Sequence, residues 1–509
     1  MVCIKRMTLI ETNAMKILLI DPPINCFTGL LKRGYPVGLC MLAAVVKREG
    51  LAEVAVFDVD KCFQKTTGLS FTKQRSHMGR FLTGVNDKNH PVWDSIVRIL
   101  KDFKPDIVGI TTMTIQYASA LRVAEIVKAW RPECLVVMGG AHANVMPHGM
   151  IEWPATDVVV KGEGEDAFVE LVRRYRSGVR ELADIDGVIT KEHKEHLDAL
   201  SLEVKSLDAL PMPDRSALLY RESFSSEDMG LMITSRGCPY RCSYCSNFSR
   251  KTRFRSVDNI LQEMSEVRSK YGTIQFMFKD DAFTLNRRRV EAFCDLLLRD
   301  KGVVLWECAT RLDLIDNPLV RVMKAAGCNR VGVGVESGDE EILKMFDKQL
   351  TLAQIRSGAD VLNRNRMFWT AYFMVGLPME NEEQIVNTVS VMRELRPSYA
   401  AVGIYKPYPG TRLFEFAKEQ GLVDEKMSND HFFVTNPVDY FLVDPRKRSA
   451  ILKQERLDRL TRYANEQFEN YNRGWPRIFK RACSRRKLYL RQPKSLMIDL
   501  VRAGRWLFS

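Results

Sequence analysis

The sequence predicts an α/β protein in which two parallel sheets precede a mostly helical, basic C-terminal region. Short apolar runs rich in β-branched residues alternate with segments of helical periodicity, a pattern typical of parallel sheets covered by helices. The alternation weakens between residues 177 and 229 and then resumes. Six strand and helix units follow within about 190 residues, which favours an incomplete parallel barrel over a second open sheet.

The first region predicts a doubly wound sheet. We expect strands over 16–20, 54–58, 107–111, 134–138 and 157–160, and helices over 38–48, 118–130 and after Gly164. Ligands bind such sheets at the carboxyl ends of the strands. The residues found there are candidates for a ligand site: Thr111, Thr112, Thr114, Gly139, Gly140, Gly162, Glu163 and Gly164.

The second region carries the barrel pattern. Strands are expected over 231–234, 274–279, 303–309, 330–335, 369–375 and 399–405, with helices between them, such as 257–271 and 287–299. The weaker segment with Pro211 and Pro213 is interpreted as a linker. The predicted boundaries are 1–15 for an N-terminal tail, 16–178, 179–228 for the linker, 229–425, and 426–509 for the C-terminal region.

Charge is concentrated near the C-terminal end of the sequence. The net charge is +13, and residues 471–509 hold eleven Lys and Arg against the single acid Asp499. Aromatic and aliphatic residues interleave with these cations, so the segment fits an anionic membrane surface; a solvated basic helix packed on the protein is the alternative. No nucleic-acid partner, secretory signal or transmembrane helix is expected, and we predict a cytoplasmic protein, associated with the inner membrane face if the segment binds lipid.

The strongest chemical signal is a group of three thiols, Cys238, Cys242 and Cys245, directly after the first strand of the second region. Thiolates favour iron–sulfur clusters, zinc and copper(I). A structural zinc site needs a fourth Cys or His, but the next Cys is Cys294 and no His occurs between Cys245 and His431. Three ligands on a four-iron cluster leave one iron open, as a catalytic centre requires.

This motif, its place after the first barrel strand and the later segments resemble the radical S-adenosylmethionine enzymes. The resemblance implies a [4Fe–4S] cluster on Cys238, Cys242 and Cys245, with S-adenosylmethionine (SAM) chelating the fourth iron and yielding a 5′-deoxyadenosyl radical. It also implies SAM contacts by position: Tyr244 with the adenine, Asp280 and Asp281 of the 279–281 segment with the amino group, Arg311 with the carboxylate, Glu336 with the ribose, and Gly376 and Pro378 near the adenine.

The first region resembles the cobalamin-binding domain of the cobalamin-dependent subclass of these enzymes. The resemblance covers about residues 16–425 and rests on 35–39, the 111–114 loop, 138–142 and 162–165. The small residues Gly139 and Gly140 permit close approach of a corrin or its nucleotide tail. Asp21 is followed by Pro22 and Pro23, so the Asp-x-His-x-x-Gly motif that supplies an axial His is absent. His142 is either a cobalt ligand or a residue that orders the turn.

Together, the resemblances imply radical methylation of an unactivated carbon of a small molecule or lipid, through methylcobalamin. The main alternative is a radical oxidative cyclase or ring-rearranging enzyme acting on a tetrapyrrole-like or natural-product substrate. A corrinoid and iron–sulfur sensor without turnover, a structural basic protein recruited to membranes, and a methylthiolating enzyme acting on transfer RNA are further alternatives. Flavodoxin or ferredoxin is the expected electron donor.

The substrate pocket is expected between the two cofactor regions. We predict that residues 423–471 complete it, with aromatic side chains that line an apolar cavity: Phe432, Phe433, Tyr440 and Phe441.

Overall fold

The computed structural model of the protein describes residues 14–29, 32–63, 81–193, 203–300, 302–377, 380–420, 423, 454–493, 495–497 and 499–500. Pro378 and the aromatic residues at 432–441 therefore lie outside the described residues. Of the chain that is described, no helix is long and apolar enough to cross a bilayer.

The first sheet has six strands in the order β2-β1-β3-β4-β5-β6. Its strands are β1 (Lys16–Asp21), β2 (Glu53–Asp58), β3 (Ile107–Thr111), β4 (Leu135–Gly139), β5 (Val158–Val160) and β6 (Val188–Thr190). The first five are parallel, and β6 pairs antiparallel with β5. The chain reverses its direction of winding between β1 and β3, so a ligand crevice is expected at the carboxyl ends of these strands.

Helices cover both faces of this sheet. The longer ones are Val37–Arg48, Pro91–Phe103, Tyr117–Trp130 and Glu165–Arg176, and short ones cover Asn25–Thr28, Val59–Phe63 and Pro147–Ile151. The alternate residues of β1 show why both faces are apolar: Ile17 and Leu19 pack in one core, and Leu18 and Ile20 in the other. A strand buried on both sides reads as a continuous apolar run, which made this sheet predictable.

The segment predicted to be a linker contains a strand and a buried arginine. β6 lies within it, and Arg215, 4% exposed, pairs with Glu263 at 2.6 Å and donates to the carbonyl of Met229 at 3.0 Å. A three-residue strand at a sheet edge is too short to show an alternating pattern. The interpretation of this segment as a simple connection is corrected accordingly.

The second sheet runs β14-β13-β12-β11-β10-β7 and is parallel throughout. Its strands are β7 (Leu231–Met232), β10 (Gln275–Phe278), β11 (Leu305–Thr310), β12 (Cys328–Glu336), β13 (Trp369–Val375) and β14 (Tyr399–Ile404). The two edge strands, β7 and β14, do not pair with each other, so the barrel is open, as the sequence predicted. A separate antiparallel ribbon joins β8 (Ser235–Arg236) to β9 (Arg253–Phe254).

Helices surround the outside of the barrel. They are Ser226–Met229, Val257–Tyr271, Arg287–Arg299, Asn317–Ala325, Glu340–Met345, Leu352–Arg364, Glu382–Leu395 and Arg412–Glu419. Side-chain caps fix where several of them begin; the Ser256 hydroxyl, for example, accepts from the N–H of Asn259.

The described part of the C-terminal region is helical, with helices Gln454–Arg473, Trp475–Ser484 and Arg486–Arg491. The first of them covers the β14 edge. The Asn472 amide accepts from the Ala400 N–H at 2.9 Å and donates to the Ala400 carbonyl at 2.6 Å. These bonds satisfy backbone groups that an exposed edge strand would leave open to another chain.

Candidate functional site

The three clustered cysteines lie on the loop that joins β8 to β9. Gly237 opens this loop with φ +89°, and a Cβ there would come within 2.4 Å of the Lys251 carbonyl oxygen, so only glycine fits. The Cys238 N–H donates to the Ser249 carbonyl at 3.1 Å. Paired strands at both ends and this internal bond give the cysteine loop a defined conformation.

Cys238, Cys242 and Cys245 are partly buried free thiols. Within the described part of the chain, no three His, Cys, Asp or Glu side chains converge closely enough to hold a single metal ion. A four-iron cluster binds each thiolate at a different iron, so its three ligands stand apart around a larger group. Three free thiols on one loop suit the cysteine ligation of an iron–sulfur cluster.

Backbone hydrogen bonds tie the cysteine loop to the barrel. The Ser243 N–H donates to the Phe346 carbonyl at 2.8 Å, and the Ser243 carbonyl accepts from the Leu413 N–H at 2.9 Å. The Arg412 guanidinium donates to the Arg241 carbonyl. The loop is thus positioned by residues that follow β12 and β14.

Tyr244 and Glu336, predicted separately as SAM-binding residues, lie in direct contact. The Tyr244 hydroxyl donates to Glu336 Oε1 at 3.0 Å, and Lys348 Nζ lies 2.7 Å from the same oxygen. Burial is the largest of the effects that raise the pKa of Tyr244, and the Glu336 charge adds to it, so the hydroxyl is a hydrogen-bond donor. Sequence reasoning missed Lys348, which no spacing rule connects to the cysteine motif.

The two aspartates after β10 differ in their surroundings. Asp280 is buried and accepts from the Thr234 N–H at 2.7 Å and from the Ser235 hydroxyl at 2.8 Å, and Arg289 lies 3.4 Å away. Its oxygens are therefore engaged within the protein, and a contact of Asp280 with the SAM amino group stays a prediction. Asp281 accepts from the Asn247 amide at 2.7 Å and lines the large cavity described below.

Arg311 approaches the cysteine loop through an aromatic ring. Its guanidinium lies 3.7 Å from the centre of the Tyr240 ring and bonds Asp313 through Nε at 2.9 Å and a terminal nitrogen at 3.0 Å. Asp313 thus holds the side chain predicted to pair with the SAM carboxylate.

The turn after β13 contains an acid that sequence reasoning did not select. Gly376, with φ +86°, donates its N–H to Glu380 Oε2 at 2.6 Å, and the Leu377 N–H lies 3.2 Å from the same atom. Burial raises the pKa of Glu380 to about 7. The carboxylate stabilises the turn at which Gly376 was predicted to face the adenine.

A cavity of about 600 Å³ separates the two sheets. The first sheet lines it with Thr111, Gly139, Gly140, Gly162 and Glu163, and the barrel with Cys245, Lys279 and Asp281. Residues selected from two distant parts of the sequence therefore meet at one space.

Two of the predicted cavity residues instead support the loop behind it. Thr112 is fully buried, and Thr114 lies 3.1 Å from His142 Nδ1. His142 is also fully buried and packs on the Tyr117 ring, with 4.3 Å between ring centres. Burial lowers the pKa of His142 to about 4. No histidine is among the described residues that line the cavity, so His142 orders the turn.

Glu163 joins the two sheets. Its carboxylate contacts Arg253 at 2.7 Å and Arg236 at 3.2 Å, and Arg236 also contacts Glu165 at 2.6 Å. Burial raises the pKa of Glu163, but the hydrogen bond from Arg253 and the charge of Arg236 outweigh it and hold the pKa below its usual value. Glu163 thus lines the cavity and also forms ion pairs with Arg236 and Arg253, the partners that sequence reasoning missed; its role in ligand binding stays a prediction.

The wall that the first sheet contributes suits a large, flat group. Its apolar part includes Leu39, Leu42, Met138 and Phe168, and a Cβ added at Gly38 would meet nothing within 4 Å. At Gly140, with φ +98°, a Cβ would come within 2.8 Å of the Thr112 nitrogen. These residues fit a corrin because they combine an apolar face with backbone that a ligand can approach closely.

Profiles of two families match the chain: the B12 binding domain over residues 30–172 and the radical SAM superfamily over residues 232–392. An uncharacterized methyltransferase of Pyrococcus horikoshii is 31% identical over 465 residues, which are 89% of this chain and 92% of that protein. The anaerobic magnesium-protoporphyrin IX monomethyl ester cyclase of Cereibacter sphaeroides is 28% identical over 64% of this chain and 55% of the cyclase.

Among solved structures, the fold is similar to that of the radical SAM methyltransferase TsrM of Kitasatospora setae, determined with tryptophan and a SAM analogue. The TM-score is 0.60 at 18% identity, over 85% of this chain and 84% of TsrM. The likeness extends over both sheets. With two matching profiles in the order B12 domain then radical SAM domain, and a relative that shares nearly its full length, the chain is an enzyme that belongs to the cobalamin-dependent radical S-adenosylmethionine family.

Proposed function

We propose that the protein methylates an unactivated carbon of a small-molecule or lipid substrate by radical chemistry. The observation that carries this proposal is the shared cavity, because it exposes Cys245 of the cysteine loop and Gly139 of the first sheet to one space. A methyl group and a substrate radical must meet for such a reaction. A full-length relative described as a methyltransferase adds support.

The cofactors of this reaction are a [4Fe–4S] cluster, SAM and cobalamin; when bound, they supply a 5′-deoxyadenosyl radical and a methyl group. Cys238, Cys242 and Cys245 hold the cluster. Asp281 and Gly376 would contact SAM, and Lys348 and Asp313 would order Tyr244, Glu336 and Arg311 next to it. Thr111, Gly139, Gly140 and Gly162 approach the corrin.

The test is anaerobic reconstitution with iron, sulfide and hydroxocobalamin, followed by incubation with SAM and dithionite. We expect both S-adenosylhomocysteine and 5′-deoxyadenosine. The variant Cys238→Ala/Cys242→Ala/Cys245→Ala should lose the 5′-deoxyadenosine, whereas Cys483→Ala, which removes an exposed thiol of the C-terminal region, should behave as wild type. A triple variant that still forms 5′-deoxyadenosine would refute the cluster assignment.

Oxidative cyclisation of a tetrapyrrole-like substrate is the second candidate. The observation that favours it is the similarity to the magnesium-protoporphyrin ester cyclase, although the matched region is 55% of that enzyme. A cyclase forms 5′-deoxyadenosine without net methyl transfer. Formation of 5′-deoxyadenosine without S-adenosylhomocysteine would therefore support this candidate, and absence of both products from a fully loaded protein would favour a sensor.

Flavodoxin or ferredoxin should replace dithionite as the electron donor.

We further propose that the protein works in the cytoplasm and binds the inner membrane face through residues 471–509. Large apolar side chains are exposed there: Trp475 at 76%, Phe479 at 72%, Leu490 at 81%, Met497 at 62% and Leu500 at 56%. Trp475 and Phe479 are four residues apart and thus share one helix face, and Arg477 and Lys480 flank them. Exposed aromatic residues beside cations match an anionic lipid surface.

Vesicle sedimentation tests the membrane contact. Wild type should bind vesicles rich in phosphatidylglycerol and should bind phosphatidylcholine vesicles more weakly. Trp475→Ser/Phe479→Ser should lose most of this binding and keep its melting temperature, because both side chains are exposed. Equal sedimentation of the variant and the wild type would contradict the proposal.

A further inference from the structure

The inner face of the open barrel is exposed in its middle, although helices cover its outer face. Ala309 on β11, Tyr372 on β13 and Gly403 on β14 are exposed, with Tyr372 at 45%. Their chain neighbours Cys308 and Phe373 are buried. Because side chains alternate between the two faces of a strand, the exposed residues share the inner face. We call the space that they border the barrel hollow.

Cations from two barrel strands point toward this hollow. On β12, Arg330 is on the same face as Gly332 and lies opposite Glu307 of β11, with 3.8 Å between guanidinium and carboxylate. Arg330 also donates to the Thr370 hydroxyl at 3.0 Å. Lys279 follows β10 and lines the cavity that separates the two sheets, so its side chain is recessed but reachable by solvent.

Two further cations come from outside the barrel. Arg33 precedes Gly34, whose added Cβ would lie 2.3 Å from the Leu231 side chain, so the loop from the first sheet passes beside the open edge at β7. Arg481 comes from the helix Trp475–Ser484 and lies 4.6 Å from the centre of the Tyr399 ring, where β14 begins. One arginine therefore lies beside the open edge at β7, and the other lies at the end of the barrel where β14 begins.

Arg33 and Arg330 are close enough to affect the charges of both Lys279 and Arg481. Burial lowers the pKa of Lys279; Glu307 counteracts this effect, and Arg33 and Arg330 lower the pKa further. Burial also lowers the pKa of Arg481, and among the charges near it are Arg330 and Arg33. Like charges held together in a partly buried space repel one another and favour a bound anion.

The acids near the cluster are too few to neutralise it. The Glu307 charge raises the pKa of Lys279, and Asp499, near Arg481, contacts Arg485 at 2.7 Å. In the described part of the chain, neither the Arg33 guanidinium nor the Lys279 ammonium group has a hydrogen bond or ion pair with another residue. Four cations therefore share two carboxylates, Glu307 and Asp499, and Asp499 also pairs with Arg485 outside the cluster.

We propose that the barrel hollow binds an anionic group of the substrate, a phosphoryl or a carboxylate group, through Arg33, Lys279, Arg330 and Arg481. Guanidinium groups suit such anions because their N–H groups donate two parallel hydrogen bonds. The inference rests on the proposed function, since it assigns the chemical class of the substrate that the same barrel receives. SAM is expected near the cysteine loop, whereas Arg330 lies near the start of β12 and Arg481 beside Tyr399 at the start of β14, so these two arginines would bind a different anion.

Binding of small anions to the reconstituted enzyme tests the proposal. The probes are inorganic pyrophosphate for phosphoryl groups and succinate for carboxylates, with choline as a cationic control, measured by isothermal titration calorimetry. We expect at least one anion to bind and choline not to bind. Raising the salt from about 50 mM to about 300 mM should weaken anion binding, since added ions screen the cluster.

Two arginines serve as test positions because they belong to no barrel strand. Arg33→Gln should weaken anion binding at least fivefold, and Arg33→Gln/Arg481→Gln should weaken it at least twentyfold. Arg33→Lys should retain most of the affinity because the charge remains. Arg356→Gln is the matched control: this exposed arginine pairs with Glu394 on the outer helices, and its loss should change the affinity less than twofold.

Absence of anion binding by wild type, or equal binding by wild type and the double variant, would overturn the proposal. The products of SAM cleavage, measured on the same samples, separate it from the proposed function. If anion affinity follows the arginines but neither S-adenosylhomocysteine nor 5′-deoxyadenosine forms, the anion site stands and the methylation proposal fails. If both products form and the arginine variants bind anions as wild type does, the anion-site proposal is refuted and the methylation proposal stands.

Discussion

At the end of β12, the Glu336 carboxylate accepts from the Tyr244 hydroxyl at 3.0 Å and from Lys348 Nζ at 2.7 Å. The cysteine loop and the fourth barrel strand are thereby joined through one oxygen atom. A Cβ at Gly334 would lie 2.1 Å from that oxygen, so the strand needs glycine there. The position of Glu336 beside the cysteine motif could be predicted from order along the chain, whereas its contact with Lys348 depends on how the following loop folds.

We expect Glu336→Gln to destabilise the protein measurably. The Lys348 side chain is 6% exposed, and removal of its partner leaves a buried ammonium without a counter-charge, at a cost of about 3 kcal/mol. The melting temperature, measured by differential scanning fluorimetry without SAM, should fall by several degrees. The exposed acid Glu419 provides the control, since Glu419→Gln should shift the melting temperature by less than one degree.

A second variant separates loss of the pair from general damage. Glu336→Met/Lys348→Met removes both charges and should recover most of the lost stability, because two apolar side chains replace a buried ion pair at little cost. A double variant that melts as low as Glu336→Gln would contradict the pairing argument.

Among the secondary-structure elements, the turn after β4 shows how a short glycine pair shapes a site. Gly140 has φ +98°, and the Thr112 N–H donates to the Gly139 carbonyl at 2.8 Å, which holds the β3 and β4 ends together. The glycines were predictable because small residues after a parallel strand mark a ligand loop. The roles of Thr112 and Thr114 could not be predicted, because the loop after β3 turns some side chains into the core and others toward the cavity.

Gly140→Ala should reduce cobalamin binding while the iron–sulfur cluster is retained. An added Cβ would lie 2.8 Å from the Thr112 nitrogen, so the turn must shift at the wall of the cavity. The measurements are the corrinoid absorbance and the iron content after reconstitution. Gly178→Ala is the matched control, because Gly178 also has positive φ, at +81°, but an added Cβ there would meet nothing within 4 Å. Equal cobalamin content in the two variants would refute the role of the turn.

For the whole molecule, the ion pairs of Glu163 and Glu165 with Arg236 and Arg253 connect the two sheets at the cavity rim. They place the cysteine loop opposite the first sheet, since Arg236 belongs to β8 and precedes that loop directly. Stability that depends on a charged carboxylate must vary with pH.

The pKa of Glu163 is held below its usual value, so its ion pairs stabilise the fold above the unfolded pKa of about 4.3 and are lost as the pH falls through the lower folded value. We expect Arg253→Gln to melt below wild type at pH 6. The difference in melting temperature should shrink below about pH 4, where Glu163 becomes protonated in the wild type too. Lys101→Gln, which alters an exposed lysine, should show no such pH dependence; a constant difference for Arg253→Gln would contradict the prediction.

The sequence alone determined the kind of each main element and the chemistry of the cysteine loop. Strands such as Trp369–Val375 and helices such as Val257–Tyr271 and Arg287–Arg299 begin and end where the pattern predicted. This agreement has a local cause, because periodicity, helix caps and the spacing of three thiols involve residues close together in the chain. The strand Val188–Thr190 escaped prediction because it is short and is defined by its pairing with β5.

Only the tertiary structure decided which predicted residues face the cavity and which support it from behind. Asp280 and Glu163 have the residue type and position expected of ligand-binding acids, yet Thr234, Ser235 and the arginines Arg236 and Arg253 engage them. The physical reason is that a carboxylate satisfies its hydrogen bonds with whichever donors the fold brings near, and those donors come from distant parts of the chain. The gathering of Arg33, Arg330 and Arg481 around one hollow has the same origin.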